Sequence, residues 1–246
     1  MRTLPAILLS LLVAFPLLAD LPVAAPELRP ATGDQAHPVL ATSGIDALAA
    51  WEDRRALPLL PSASPTAPER EVYAAHIAAD GTPALDFDVT PSVEDDSDPA
   101  VVWNGDEYVV AHVMAPRFGF DGGLRFTRVK PNDAGDNRLI SRAEYASAPN
   151  FGLFGTLSLA WNGDEYLVVV SSPFFLNDTP TSAWGLFVDR SFHPIGGVFP
   201  IADGHVAQAT AASDGHGFLV TWIDDRRIGA ATVSPGGVVA GKQFLS

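Results

Sequence analysis

An all-β fold assembled from four repeats is predicted by three features of this 246-residue sequence. The first is a repeated hexapeptide. Trp103-Asn104-Gly105-Asp106-Glu107-Tyr108 returns unchanged as Trp161-Asn162-Gly163-Asp164-Glu165-Tyr166. The second is its flanks. Ala100-Val101-Val102 leads into the first copy and Val109-Val110-Ala111 leads out, and Asn-Gly between such runs is a strong hairpin signal. The third is a further turn downstream of the hairpins, such as Asp80-Gly81 in the first repeat and Ser234-Pro235-Gly236-Gly237 in the last. Four short strands per repeat, in four repeats, predict a β-propeller-like domain with four blades of four antiparallel strands. A β-sandwich is the alternative, as is part of a larger propeller completed by oligomerisation.

Each element follows in order. Met1 to Ala19 reads as a secretory signal peptide: Arg2 gives the positive start and Leu4 to Leu18 the apolar run. Prolines 5 and 16 interrupt that run, which is short for a membrane span. Residues 20–36 are rich in Pro and Ala and read as a linker or a closing strand. The β domain then covers 37–246, with blades at about 37–97, 98–148, 149–204 and 205–246.

In each blade the first two strands meet at a glycine: Gly44, Gly105, Gly163 and Gly215, at intervals of 61, 58 and 52 residues. The second strands, Tyr108 to Val113 and Tyr166 to Val170, are apolar or small on both faces, as a strand covered on both sides requires. Trp103 with Tyr108, and Trp161 with Tyr166, are placed as cross-strand aromatic pairs. Third strands are expected at Val72 to Ile77, Leu124 to Val129, Gly185 to Val188 and Ile228 to Val233. Fourth strands follow, for example Leu85 to Val89 and Gly197 to Ile201, after third-to-fourth turns at Gly81, Gly135, Gly196 and Gly236. Most length variation falls between the second and third strands. Those loops share one face of the disc with the loops between blades. Binding residues concentrate on loops held by a rigid scaffold, so that loop face is the candidate functional face.

Composition narrows the function. The chain is 47% hydrophobic and 18% charged, with 21 Gly, 21 Pro and no Cys. Absence of Cys rules out disulfides and an N-terminal lipid-modified cysteine, and a soluble periplasmic or secreted product without membrane insertion is expected after signal cleavage. The formal charge of −14 argues against nucleic acid, which needs a basic footprint. Six His residues show no metal-ligand spacing, and no serine-nucleophile or nucleotide-binding motif is present.

Two clusters carry possible chemistry. Trp51-Glu52-Asp53-Arg54-Arg55 and Trp222-Ile223-Asp224-Asp225-Arg226 share W-x-D-x-R. Asp53 with Arg55, and Asp224 with Arg226, point to the same side of a strand end. They read as loop-pinning ion pairs first and as carboxylates for sugar chemistry second. Glu94-Asp95-Asp96-Ser97-Asp98 is an acidic inter-blade loop; Glu94, Asp95, Asp96 and Asp98 are the calcium candidates, calcium being the one cofactor that the residues suggest. Their spacing departs from a D-x-D-x-D-G loop, and a solvated acidic loop is the first reading.

Pro38 to Arg55, Pro99 to Ala111, Leu159 to Val170 and Ala211 to Arg226 together resemble the repeats of secreted bacterial β-propeller proteins. The pattern lacks the Gly-Gly doublet of kelch repeats, the Asp-box of sialidase-type propellers and the WD40 signature. The resemblance implies a fold and no activity. Two functions remain in view: a non-enzymatic binding or scaffold protein of the cell envelope or exterior, holding a protein or glycan on the loop face, or a carbohydrate-active hydrolase or lyase.

Overall fold

The computed structural model describes residues 34–55, 70–90, 95–114, 123–130, 137–141, 156–171 and 182–245. The signal segment, residues 20–33, Glu94 and the turn at Gly135 lie outside the described residues. Among the described residues sixteen strands follow one another: β1 (Gln35–Thr42), β2 (Ala47–Asp53), β3 (Glu71–Ile77), β4 (Phe87–Asp88), β5 (Asp96–Trp103), β6 (Tyr108–Met114), β7 (Gly123–Val129), β8 (Asn137–Ser141), β9 (Thr156–Trp161), β10 (Tyr166–Ser171), β11 (Ser182–Val188), β12 (Pro194–Asp203), β13 (Val206–Ser213), β14 (Phe218–Asp224), β15 (Arg227–Val233) and β16 (Val239–Leu245). They form four separate antiparallel sheets, β1 to β4, β5 to β8, β9 to β12 and β13 to β16, each in sequence order. This is a four-blade β-propeller arrangement and not a two-sheet sandwich.

Glycine chemistry sets the hairpins. Gly44, Gly105, Gly163 and Gly215 all have φ between 88° and 106°, a region that side chains with a Cβ avoid. The residue before each glycine caps the turn. The Asn104 and Asn162 Oδ1 atoms each accept from the two backbone N–H groups that follow the glycine, at 2.9–3.0 Å. Ser43 and Asp214 do the same through Oγ and Oδ1. The repeated Asn-Gly is thus one solution to a turn that Ser-Gly and Asp-Gly solve equally.

Blades pack face to face. Leu48, Ala50, Val72 and Ala74 of blade 1 meet Tyr108, Val110 and Val129 of blade 2. Val109, Ala111, Leu124 and Phe126 of blade 2 meet Tyr166, Val168 and Leu186 of blade 3. Leu167, Val169 and Ala183 of blade 3 meet Phe218, Val220 and Trp222 of blade 4. Every residue of β6 and β10 is buried, because each strand has a blade on either side. The first strands β1, β5, β9 and β13 pack on one another in succession around the axis, whereas β13 has no comparable packing on β1.

The aromatic pairs form as expected, with ring centroids 4.8 Å apart for Trp103 and Tyr108 and 4.3 Å for Trp161 and Tyr166. The tyrosines also reach across blades. The Tyr108 hydroxyl accepts from Ser43 N at 3.1 Å and lies 2.7 Å from Asp46 Oδ1, both in the blade 1 turn. The Asn104 amide donates to the Tyr166 hydroxyl at 2.7 Å. Blades 2 and 3 are thus each stapled to the hairpin turn of the one before. Phe218 holds the same place in blade 4, without a hydroxyl.

Two expectations are corrected. Gly196 lies inside β12 and not in the preceding turn, which is built from Asp189 to His193 with Phe192 at φ 63°. Phe192 adopts that conformation because its ring is buried, stacked 4.9 Å from Phe126 and tilted against Tyr166 at 5.7 Å. The fourth strand of blade 1 is two residues, Phe87 and Asp88, where Leu85 to Val89 was expected; Leu85 is 85% exposed and outside the sheet.

Candidate functional site

Three blades open their first strand with a β-bulge. The register slips between Ala36 and Val39, between Ser97 and Ala100, and between Ala207 and Thr210. The residue thrown out is His37, Asp98 or Gln208, each with φ between 48° and 53°. That left-handed conformation is uncommon for residues with a side chain, and here it recurs at one repeat position. Each lies seven residues before its hairpin glycine. Blade 3 has Thr156 there, in a regular pair with Ser171, and the two hydroxyls bond at 2.6 Å. All four positions fall at the loop end of the innermost strands.

At the junction of blades 1 and 2 the bulges create a polar cluster. Glu52, near the end of β2, has its side chain only 5% exposed. Its Oε1 accepts from Asp98 N at 2.8 Å and lies 2.7 Å from His37 Nδ1. Arg70 Nη1 stands 3.7 Å from Oε2. His37, Glu52 and Asp98 each offer one ligand atom, all within 4.8 Å of one another, the one such trio among the described residues. The hydrogen bond to Glu52 holds the His37 ring above its ordinary value of 6.5. This interaction adds stability fully below 6.5, and the gain is lost as pH rises through the folded-state value. Burial pushes the Asp98 carboxyl above its ordinary range, and the charge of Glu52 adds to the rise against a hydrogen bond from Ser97. A carboxyl and an imidazole, both shifted upward, therefore stand beside Glu52, whose Oε1 engages His37 and the Asp98 backbone.

The acidic loop does not converge. Asp95 is taken by Arg70, whose Nη2 lies 2.9 Å from Oδ2 and whose backbone N lies 2.8 Å from Oδ1. Asp96 is fully buried, with Oδ1 3.3 Å from Nε2 of the fully buried His112. Of the three, only Asp98 joins His37 and Glu52. Three nearly consecutive carboxylates thus serve three different partners.

The W-x-D-x-R copies also differ. Asp53 is completely buried, accepting from Trp51 Nε1 at 3.1 Å and from Arg55 N and Nε at 2.8 and 2.7 Å. Burial is the largest influence on this carboxyl and pushes it up, but the bonds from Arg55 and Trp51 together outweigh it and hold it below 3.8. Arg55 bridges on to Asp86 and lies 4.3 Å over the Tyr73 ring. In blade 4 the partner of Asp224 is Arg227, at 3.2 Å, and not Arg226, which is exposed. Both pairs tie strand ends together. Glu52, the unmarked residue of that motif, shares the face of Leu48 and Ala50 that packs on blade 2, and it is the one that reaches Asp98. The sequence signal for it was the shared spacing of His37-Pro38 and Asp98-Pro99 ahead of Gly44 and Gly105.

No protein-family model and no curated protein matches this chain. Solved structures do. The chain is similar to a Trypanosoma rangeli sialidase in complex with sialic acid, at 12% identity and TM-score 0.54, over 85% of this chain and 37% of that one. It is similar to a glycosyl hydrolase from Bacteroides ovatus, at 12% identity and TM-score 0.51, over 88% of this chain and 71% of that one. It is also similar to the Bacillus subtilis arabinanase Arb43A, at 14% identity and TM-score 0.50, over 87% of this chain and 81% of that one. The chain spans little more than a third of the sialidase's length. At these identities the likeness is one of fold.

Proposed function

We propose that this chain is a secreted or periplasmic β-propeller that binds a glycan, without cleaving it, on the loop face between blades 1 and 2. The observation that carries the reading is the His37–Glu52–Asp98 cluster, drawn from β1, β2 and β5. Sugar hydroxyls both donate and accept, and a site for them mixes fixed donors with fixed acceptors. The half-buried Asp98 carboxyl and the exposed His37 ring supply that mixture, while Glu52 holds both in place. The formal charge of −14 favours an uncharged oligosaccharide over a sialylated or uronic one. A divalent ion is a weaker occupant, because the Arg70 guanidinium already stands by Glu52.

Hydrolysis is the second reading, supported by the fold shared with three glycosidases and by the raised Asp98 carboxyl. A glycosidase needs two carboxyl groups free to work as an acid with a base or nucleophile. Glu52 Oε1 is occupied by His37 and by Asp98 N, which argues for binding.

The test is thermal shift and calorimetry on the chain from Asp20, with neutral and acidic oligosaccharides and with calcium chloride alone, alongside a reducing-sugar assay. A neutral oligosaccharide should raise Tm by mass action, Asp98→Asn and His37→Ala should abolish the rise, and no reducing ends should appear. Reducing ends that vanish in Asp98→Asn would move the assignment to a hydrolase. A calcium-only response would make the cluster a cation site, and a flat panel would leave the loop face to a protein partner.

A further inference from the structure

The contact between successive blades is made three times by equivalent residues. A residue of the incoming first strand packs with a residue of the preceding second strand: Val101 with Leu48, Leu159 with Val109, and Ala211 with Leu167. Leu48, Val109 and Leu167 belong to the forward face of their blades. Among the described residues the forward face of blade 4 has no such cover. Pairing register places Ile223, Ile228 and Leu245 in one cross-strand row, with Leu219 and Thr232 in another and Thr221 and Ala230 between them. Leu219, Ile223, Ile228 and Leu245 are 48%, 37%, 51% and 48% exposed. Those rows contain no charged side chain in a chain of formal charge −14.

Among the described residues the rear face of blade 1 is uncovered in the complementary sense. Leu40 pairs with Ala49 and Ala49 with Ala75, so the three share that face, with Trp51 and Tyr73 beside them. Leu40 is 63% exposed, whereas its repeat equivalents Val101, Leu159 and Ala211 all pack on a preceding blade.

We propose that the forward face of blade 4 seats on the rear face of blade 1 of a second copy of this chain, repeating between chains the contact that joins blades within one. Leu40 of one copy then takes the place of Val101, and Leu219 of the other that of Leu48. The occupant is a second copy because the chain carries both halves of an interface it forms three times and, among the described residues, does not join its own halves to each other. Such a contact is heterologous: it closes a ring where its rotation permits and otherwise extends as a filament.

Leu219→Glu and Leu40→Glu test this, each at an exposed position, with a cooperative melt checked for both. Molar mass is measured by light scattering on the chain from Asp20 over a wide concentration range. The wild type should associate and each variant alone should not. Mixed in equal amounts, the two variants should form a dimer, because Leu40→Glu keeps an intact blade 4 face and Leu219→Glu an intact blade 1 face. A wild type that stays monomeric overturns the proposal. So does a Leu40→Glu variant that still associates by itself, which would mean pairing of blade 4 with blade 4. A mixture that remains monomeric overturns it as well.

Discussion

Blades 1 and 4 carry the same motif and build different corners from it. Trp51 pairs with Tyr73 across the sheet, and its indole N–H serves the buried Asp53. Trp222 pairs with Gly229 and lies flat over it, so close that a Cβ on Gly229 would stand 2.2 Å from the ring. In blade 1 a long connection between β2 and β3 lets Arg55 fold back onto Asp53, Asp86 and Tyr73. In blade 4 the chain reverses between Asp224 and Arg227, with Asp225 at φ 54°, and Arg226 is thrown into solvent. A motif fixes which residues stand at a strand end. The length of the loop after it, and the residue opposite, decide what they touch.

That contrast can be broken at either end. The largest effect is expected for Gly229→Ala, which displaces the Trp222 ring from a packed interface and costs about 3 kcal/mol in urea melts. Its blade 1 counterpart, Tyr73→Phe, should change stability by less than about 0.5 kcal/mol. Asp53→Asn comes next, at about 2 kcal/mol; a fully buried pair would lose more, but Arg55 is partly exposed and retains Asp86. The same change in blade 4, Asp224→Asn, should cost under about 1 kcal/mol, because Arg227 is exposed and screened.

Acid sharpens the difference. The Asp53 carboxyl is held below 3.8 in the folded chain, so its contribution is present above 3.8 and lost as pH falls through the folded-state value. The stability gap between wild type and Asp53→Asn should therefore narrow in melts below pH 3.8. Arg226→Ala should leave the melt within about 0.5 kcal/mol of wild type, as expected for a surface residue with no buried contact.

The fold was legible because turns and alternation repeat. Gly44, Gly105, Gly163 and Gly215 mark every hairpin, and the two-sided apolar runs of β6 and β10 mark blades covered on both faces. The short fourth strand of blade 1 was not legible, since Leu85 reads as a strand residue and yet finds nothing to pack on. Gly196 misled for a related reason: a glycine signals a backbone irregularity without saying whether it is a turn or a bulge. At the site, Asp98 stood out as part of an acidic run, and the run concealed that each carboxylate has its own partner. His37 and Glu52 were hidden because neither lies in a motif of its own. Only the bulge, a long-range outcome of strand register, brings them to Asp98.

The tyrosine staples give the array a direction. Blades 2 and 3 are each bonded to the turn of the blade before through Tyr108 and Tyr166, whereas Phe218 offers blade 4 no such bond and leaves it with packing and the bond from Ala211 N to Ser158 Oγ at 2.9 Å. In an array whose stability is a sum of neighbour contacts, opening starts at the weakest joint. Amide hydrogens of β13 to β16 should exchange ahead of those in β5 to β11, and Phe218→Tyr should close that lead. The molecule then behaves as a zipper with its tab at blade 4, the same blade whose outer face is bare.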